Sequence, residues 1–242
     1  MLRKFSLDEN VWATTLSFGP LKGSTVRESG ESYSVIRPPE QAPDEPEEVE
    51  IGFERGWPVE VDGQRLEPLE LVEELNLLAA EHGVGRVDLV SDGLMAVKHR
   101  EVCDYPGAKL LFIAHRALEL IVMPQKVLQH QEMIGIRYGE LVVQGDWFTT
   151  LRRAFDGYLD VTQEVVTGKV RLKLYKGNVS VLERSSPNTL SIAEGRDFPE
   201  EMEPGDLKGY NRVVTLQNRI EAIRENRIAG SSPGKESNPP AR

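Results

Sequence analysis

The strongest constraint on the fold is the order in which two apolar periodicities follow one another along the chain. Some segments repeat every second residue and others every third or fourth, without a regular strand–helix–strand–helix series. That order favours an α+β fold over a doubly wound parallel sheet. Val170, Leu172 and Leu174 alternate with Arg171 and Lys173, Lys176-Gly177-Asn178 turns the chain, and Val179 and Val181 run back. This predicts a two-stranded hairpin. Residues 49–52 and 59–61 read as strands, followed by an Asp62-Gly63 turn. Residues 84–90 and 94–98 read as another strand pair, joined by Ser91-Asp92-Gly93.

The helical periods lie between and after these. One helix starts at Pro68, carries Glu70 near its positive end, presents Leu71, Val72, Leu75 and Leu78 on one face, and stops at Gly83. Its expected job is to cover a sheet. Pro106-Gly107 opens a second over 108–122, Pro124 a third over 124–138, and Leu151, Phe155 and Leu159 mark a fourth over 148–165, ended by Gly168. A last helix over 209–226 spaces Val213, Leu216, Ile220 and Ile223 as the narrow seam of a helix packing on another helix. Residues 23–48 read as an extended connection; from Glu40 to Glu50 acids alternate with Pro43 and Pro46 and no base intervenes. The organisation expected is thus a domain over 1–207, a C-terminal oligomerisation helix over 208–227 and a disordered tail over 228–242.

Composition narrows the function classes. The 242 residues hold 29 Lys+Arg against 39 Asp+Glu, a net charge of −10. A basic nucleic-acid footprint and a polybasic membrane patch are both disfavoured. The single cysteine, Cys103, makes no intrachain disulfide and no cysteine zinc cluster. No apolar run reaches the roughly 18 residues of a membrane helix, and Met1-Leu2-Arg3-Lys4-Phe5 lacks a signal-peptide core. A cytoplasmic globular protein is expected.

Little catalytic chemistry is legible in the residues alone. Neither GxxxxGK[ST] nor GxGxxG occurs, and the single glycine of Ser91-Asp92-Gly93 offers too few backbone N–H groups to cradle a phosphate. His82, His99, His115 and His130 have no metal-ligand spacing, and His115 falls on an apolar helix, as a satisfied, partly buried histidine does. Cys103 lies four residues after His99, which admits a nucleophile pair, but a small core thiol is the simpler reading. Ser6-Leu7-Asp8-Glu9-Asn10 has two readings: Ser6 or Asp8 capping a short helix through Trp12, or a polar cluster that grips a small zwitterion.

Several longer words narrow this. Phe5-Ser6-Leu7-Asp8-Glu9-Asn10-Val11-Trp12 resembles the Y/W-S-x-D-E-N-L-W segment of argininosuccinate synthases. In the same order follow Ala42-Pro43-Asp44-Glu45-Pro46, Glu81-His82-Gly83-Val84-Gly85-Arg86-Val87-Asp88, Tyr105-Pro106-Gly107-Ala108, Ala114-His115-Arg116-Ala117-Leu118-Glu119, Gly145-Asp146-Trp147-Phe148 and Lys173-Leu174-Tyr175-Lys176-Gly177-Asn178-Val179. The resemblance spans roughly residues 5–190. It implies the C-terminal synthetase and oligomerisation domain of an enzyme that joins citrulline to aspartate with ATP through citrullyl-AMP. The fold it implies is a mixed sheet with packed helices and a protruding C-terminal helix. It also implies a dimer or tetramer, and ATP and Mg²⁺ handled by a separate nucleotide-binding domain with an S-G-G-x-D loop. No such loop occurs in these residues, so no cofactor is expected on this chain alone.

The family's citrulline site maps onto Ser6, Thr15, Ser91 and Cys103. Thr15 stands where serine is usual and keeps the hydroxyl donor. Ser91 stands where the I-V-E-N-R word has its glutamate, and Cys103 where V-Y-E-x-P has its tyrosine. A serine cannot carry the charge that pairs with an α-ammonium group; losing that bond is worth about 1.5–3 kcal/mol. Asp92 or Tyr105 would compensate after a small shift. Three functions follow: a ligase half completed by a partner in trans, a non-catalytic scaffold, or a binding module for another amino acid.

Overall fold

The computed structural model describes residues 6–21, 35–92, 97–191 and 204–230. In chain order its elements are β1 (Ser6–Glu9), β2 (Thr14–Pro20), a 3-10 turn (Pro39–Gln41), β3 (Glu47–Glu54), β4 (Trp57–Val61), β5 (Gln64–Arg65), α1 (Pro68–Glu81), β6 (Arg86–Asp92), β7 (Lys98–Asp104), α2 (Pro106–Val122), α3 (Gln125–Gln144), α4 (Thr150–Gln163), β8 (Gly168–Tyr175), β9 (Asn178–Ser185), α5 (Pro204–Val214) and α6 (Leu216–Gly230). The chain divides into two units, Met1–Ser191 and Ile192–Arg242. The α+β expectation holds.

Alternation drives the larger sheet, which runs β5-β4-β3-β8-β9 with every pairing antiparallel. Val49 pairs with Leu172 and Ile51 with Val170, so one face carries Val49, Ile51, Phe53, Val170, Leu172 and Leu174, all buried. Helix α2 lies against β8 and β9, and its Leu110, Ala114, Ala117 and Leu118 join the same core. Helix α1 packs on α2 and reaches β4, so it covers the sheet on the β4 side and shares one core with it. The reason is in α2, whose buried positions occupy more than one face, so it meets sheet and helix together. Close approach is possible because a Cβ on Gly107 would stand 3.0 Å from the Val72 carbonyl of α1.

The acidic run is not a solvated connection throughout: the central strand β3, Glu47–Glu54, starts two residues before the expected 49 and takes in Glu47, Glu48 and Glu50. The bases it lacks in sequence arrive from other elements. Asp44 meets Lys176 at 2.7 Å, Glu47 meets buried His82 at 2.8 Å, and Glu50 meets Arg171 at 3.1 Å and Lys169 at 3.4 Å. Arg171, with help from Lys169, holds the Glu50 carboxyl below its ordinary value of 4.5, against partial burial, which raises it. A lowered folded-state value means a contribution complete above 4.5 and lost as pH falls through the lower value. Urea midpoints are expected to drop as pH falls from about 5 to about 3, and to drop less in Glu50→Gln, by a few tenths of a kcal/mol for so exposed a pair. Identical pH slopes in the two proteins would remove Glu50 from the account.

Other expectations need correction. Residues 6–9 form strand β1, not a helix through Trp12; the capping side chain is Asn10, whose Oδ1 accepts from the amides of Trp12 (2.9 Å) and Ala13 (3.2 Å) in the β1–β2 turn. The β6–β7 pair lies later than expected: Ser91 and Asp92 belong to β6, and β7 begins only at Lys98. Residues 93–96, where the turn was expected to end and the second strand to start, lie outside the described residues. The second strand, expected at 94–98, runs instead over Lys98–Asp104, because its inward positions include Arg100 and Asp104, which are buried as ion pairs rather than as apolar residues. Gly168 does not end α4; it starts β8, with φ +154° where a Cβ would strike the Ser185 carbonyl. The Lys176-Gly177 turn is as expected, with both residues at positive φ.

In the second unit the expected single helix is two, parted at Thr215. Its amide donates to the Asn211 carbonyl at 3.1 Å, the ordinary helical bond, and its Oγ1 donates to the same carbonyl at 2.6 Å. Val213, Leu216, Ile220 and Ile223 are all more than half exposed. The tail expected beyond 227 is helical to Gly230, and residues 231–242 lie outside the described residues. No described helix is long and apolar enough to cross a membrane.

Candidate functional site: one polar sheet face

The four-stranded sheet runs β1-β2-β7-β6. Its register sets Asp8, Thr15, Cys103 and Val87 in one cross-strand row, Ser6, Ser17, Glu101 and Leu89 in the next, and His99 opposite Ser91 in a third. Positions two apart on a strand share a face. Strand parity therefore places Ser6, Thr15, Ser91 and Cys103 on the same face, although they come from four separate strands. Thr15, Ser17, Ser91, Glu101 and Cys103 are half-buried there, and Ser6 is exposed on the edge strand.

The face is not uniform. Thr15 Oγ1 donates to Cys103 Sγ at 3.5 Å, so these two candidates touch. Ser91 lies four residues along β6 from the position opposite Cys103, a distance of about 13 Å along the strand; its hydroxyl instead donates to Glu101 Oε2 at 3.2 Å. Burial, and then the Cys103 thiol, push the Tyr105 phenol above its ordinary value. Asp92 has the opposite parity and pairs with Lys98 at 2.7 Å, so it is not the replacement for the glutamate missing at Ser91. Sequence reasoning did not single out Glu101. The signal for it was the alternation of His99, Glu101 and Cys103 along β7, legible only once β7 was known to be a strand.

The reverse of the sheet holds these positions rigidly. Leu16 and Val102 are buried on it; Arg86 Nε and Nη2 both donate to Asp104 at 2.7 Å, Arg100 pairs with Asp88 at 2.6 Å, and the Arg100 guanidinium stands 4.9 Å from the Phe18 ring centroid. At the end of the hairpin, Asn76 of α1 donates to the Val11 carbonyl and accepts from the Gly107 amide, each at 2.8 Å. One side-chain amide, from the middle of α1, thereby ties the β1–β2 turn to the start of α2. A cleft of about 400 Å³ opens beside this turn, lined by Asn10, Trp12, Glu73 and Asn76 among others.

A larger concavity than that cleft, about 1100 Å³, lies elsewhere, beside the β3–β4 turn and α2 to α4. It contains none of the four candidates. Most of its polar groups already have partners, His115 with Gln163 at 2.8 Å, Tyr138 with Asp156 at 2.9 Å and Arg55 with Glu164 at 3.1 Å, so volume alone does not make it the better site. Among the described residues no group of three or more His, Cys, Asp or Glu side chains is placed to hold a metal ion.

A family model described as the arginosuccinate synthase C-terminal domain matches residues 5–221. Among curated proteins, the chain is 44% identical to the argininosuccinate synthase of Chlorobaculum parvum over 196 residues, covering 81% of this chain and 49% of that protein. It is 44% identical to that of Rubrobacter xylanophilus over 186 residues, 77% of this chain and 46% of that protein. It is 39% identical to that of Moorella thermoacetica over 229 residues, 92% of this chain and 55% of that protein. The chain thus spans about half the length of the curated relatives it matches. The words that set the β1–β2 turn, the α1–β6 junction and the β8–β9 hairpin lie inside the matched span, and the chain belongs to the argininosuccinate synthase family through its C-terminal domain.

Proposed function

We propose that this chain is the citrulline-side half of an argininosuccinate synthase. Its polar face would bind citrulline through Ser6, Thr15, Ser91 and Cys103, while a nucleotide-binding domain outside these 242 residues supplies ATP and Mg²⁺, forms citrullyl-AMP and delivers aspartate. The observation that carries this reading is the convergence of four hydrogen-bonding positions from four strands on one half-exposed sheet face. The sequence holds neither an S-G-G-x-D loop nor a GxxxxGK[ST] loop, and a phosphate needs such a run of converging backbone amides. Cytoplasmic location and self-association through the Val213, Leu216, Ile220 and Ile223 seam belong to the same proposal; four exposed apolar residues at helix-packing spacing support the latter.

Pyrophosphate release tests it. The pure chain with ATP, L-citrulline, L-aspartate and Mg²⁺ is expected to release none. Adding the separately produced nucleotide-binding domain of the Chlorobaculum parvum relative is expected to give release that depends on citrulline. Release by the chain alone would overturn the division of labour, and no release with the domain present would favour a scaffold.

A further inference from the structure

We infer that Glu101, the half-buried carboxylate of the polar face (Asp8, on the edge strand, is exposed), holds the α-ammonium group of an amino-acid ligand. The inference rests on the citrulline reading above and gives it a charge partner that the four mapped positions do not supply.

Three observations carry it. Glu101 is half-buried in an inner strand, in the row of Ser6, Ser17 and Leu89, so its carboxylate belongs to the same face as the candidate residues. Every other acid described in β6 and β7 has a cation: Asp88 has Arg100, Asp92 has Lys98 and Asp104 has Arg86. Among the described residues Glu101 has none, and its bonded partner is the neutral Ser91 hydroxyl at 3.2 Å. A half-buried carboxylate without a counter-charge, set among hydroxyl groups, is an electrostatic site for a cation.

The bond from Ser91 also orients the group. It occupies Oε2 and leaves Oε1 to accept from a ligand N–H. Ser91 stands opposite His99, and Glu101 is the next residue of β7 on that face. The acid at this end of the site therefore comes from β7 instead of β6, diagonally across the strand pair. An ammonium ligand completes the charge balance; a ligand with the same side chain and no ammonium does not.

Calorimetry on the full chain separates the possibilities. The ligands are L-citrulline and 5-ureidopentanoate, which keeps the ureido and carboxylate groups and lacks the ammonium. Wild type is expected to prefer citrulline by about tenfold to a hundredfold, the effect of one charge-assisted bond. Glu101→Gln, which keeps the size and an acceptor for Ser91, is expected to bind the two alike. The double variant S91E/E101Q is expected to regain the preference. Equal citrulline affinity in wild type and Glu101→Gln would overturn the role of Glu101 while leaving the citrulline reading intact. Absence of citrulline binding in both would overturn that reading and this inference with it.

Discussion

Gly85→Ala is expected to cost this protein about 2–6 kcal/mol. Gly85 joins α1 to β6 at φ +106°, a backbone conformation costing about 1–3 kcal/mol for a residue with a side chain. A Cβ there would stand 2.5 Å from Pro106 Cα, 2.8 Å from Pro106 N and 3.0 Å from the Tyr105 carbonyl carbon. All three neighbours are backbone and cannot rotate away, so about 1–3 kcal/mol of overpacking adds to the strain. The Gly85 carbonyl also accepts from the Tyr105 amide at 3.0 Å, so movement here disturbs the end of β7 beside Cys103. Gly63→Ala is the control: its φ is +80°, but nothing stands within 4 Å of its Cβ, so only the strain remains. Urea midpoints read the difference. Equal losses at the two positions would show that the Pro106 contact is not tight in solution.

Arg86→Met carries the second large effect. Arg86 grips Asp104 through two 2.7 Å bonds, and the Asp104 side chain is only 2% exposed. Removing the arginine leaves a buried carboxylate without its main counter-charge, a loss of about 3–5 kcal/mol. Removing both charges in Arg86→Met/Asp104→Leu is expected to recover most of it, because apolar groups of similar volume do not need the pair. Lys98→Ala, which strips the exposed partner of Asp92, is expected to cost no more than about 1 kcal/mol. Chemical denaturation of the four members of the cycle measures the coupling. Additive losses for Arg86→Met and Asp104→Leu would show that the two side chains do not act as a unit.

The legible parts of the fold are those whose cause is local. The Lys176-Gly177 and Asp62-Gly63 turns have residues suited to positive φ between alternating strands, and both form hairpins. Pro68 and Pro106 open α1 and α2 because the first helical turn does not use their missing amide. The parts that were misread have causes distant in sequence. Strand β7 buries Arg100 and Asp104, which only partners on β6 make tolerable, so its pattern resembles a polar loop. The acids of residues 44–50 read as solvated because Lys176, His82, Lys169 and Arg171 lie far along the chain. The candidate site divides the same way. Ser6, Thr15, Ser91 and Cys103 were found through words of sequence, whereas Glu101 became visible only through the register of β7.

By itself the sequence determined the α+β class, the hairpins, the helix starts and the family, because each is written in residues that are neighbours or in runs of fixed order. Only the tertiary structure decided which face of the β1-β2-β7-β6 sheet gathers the polar side chains and which carboxylate of β6 and β7 has no cation among the described residues. Strand parity and ion pairing are properties of registered partners, and a chain acquires a register only when its strands meet.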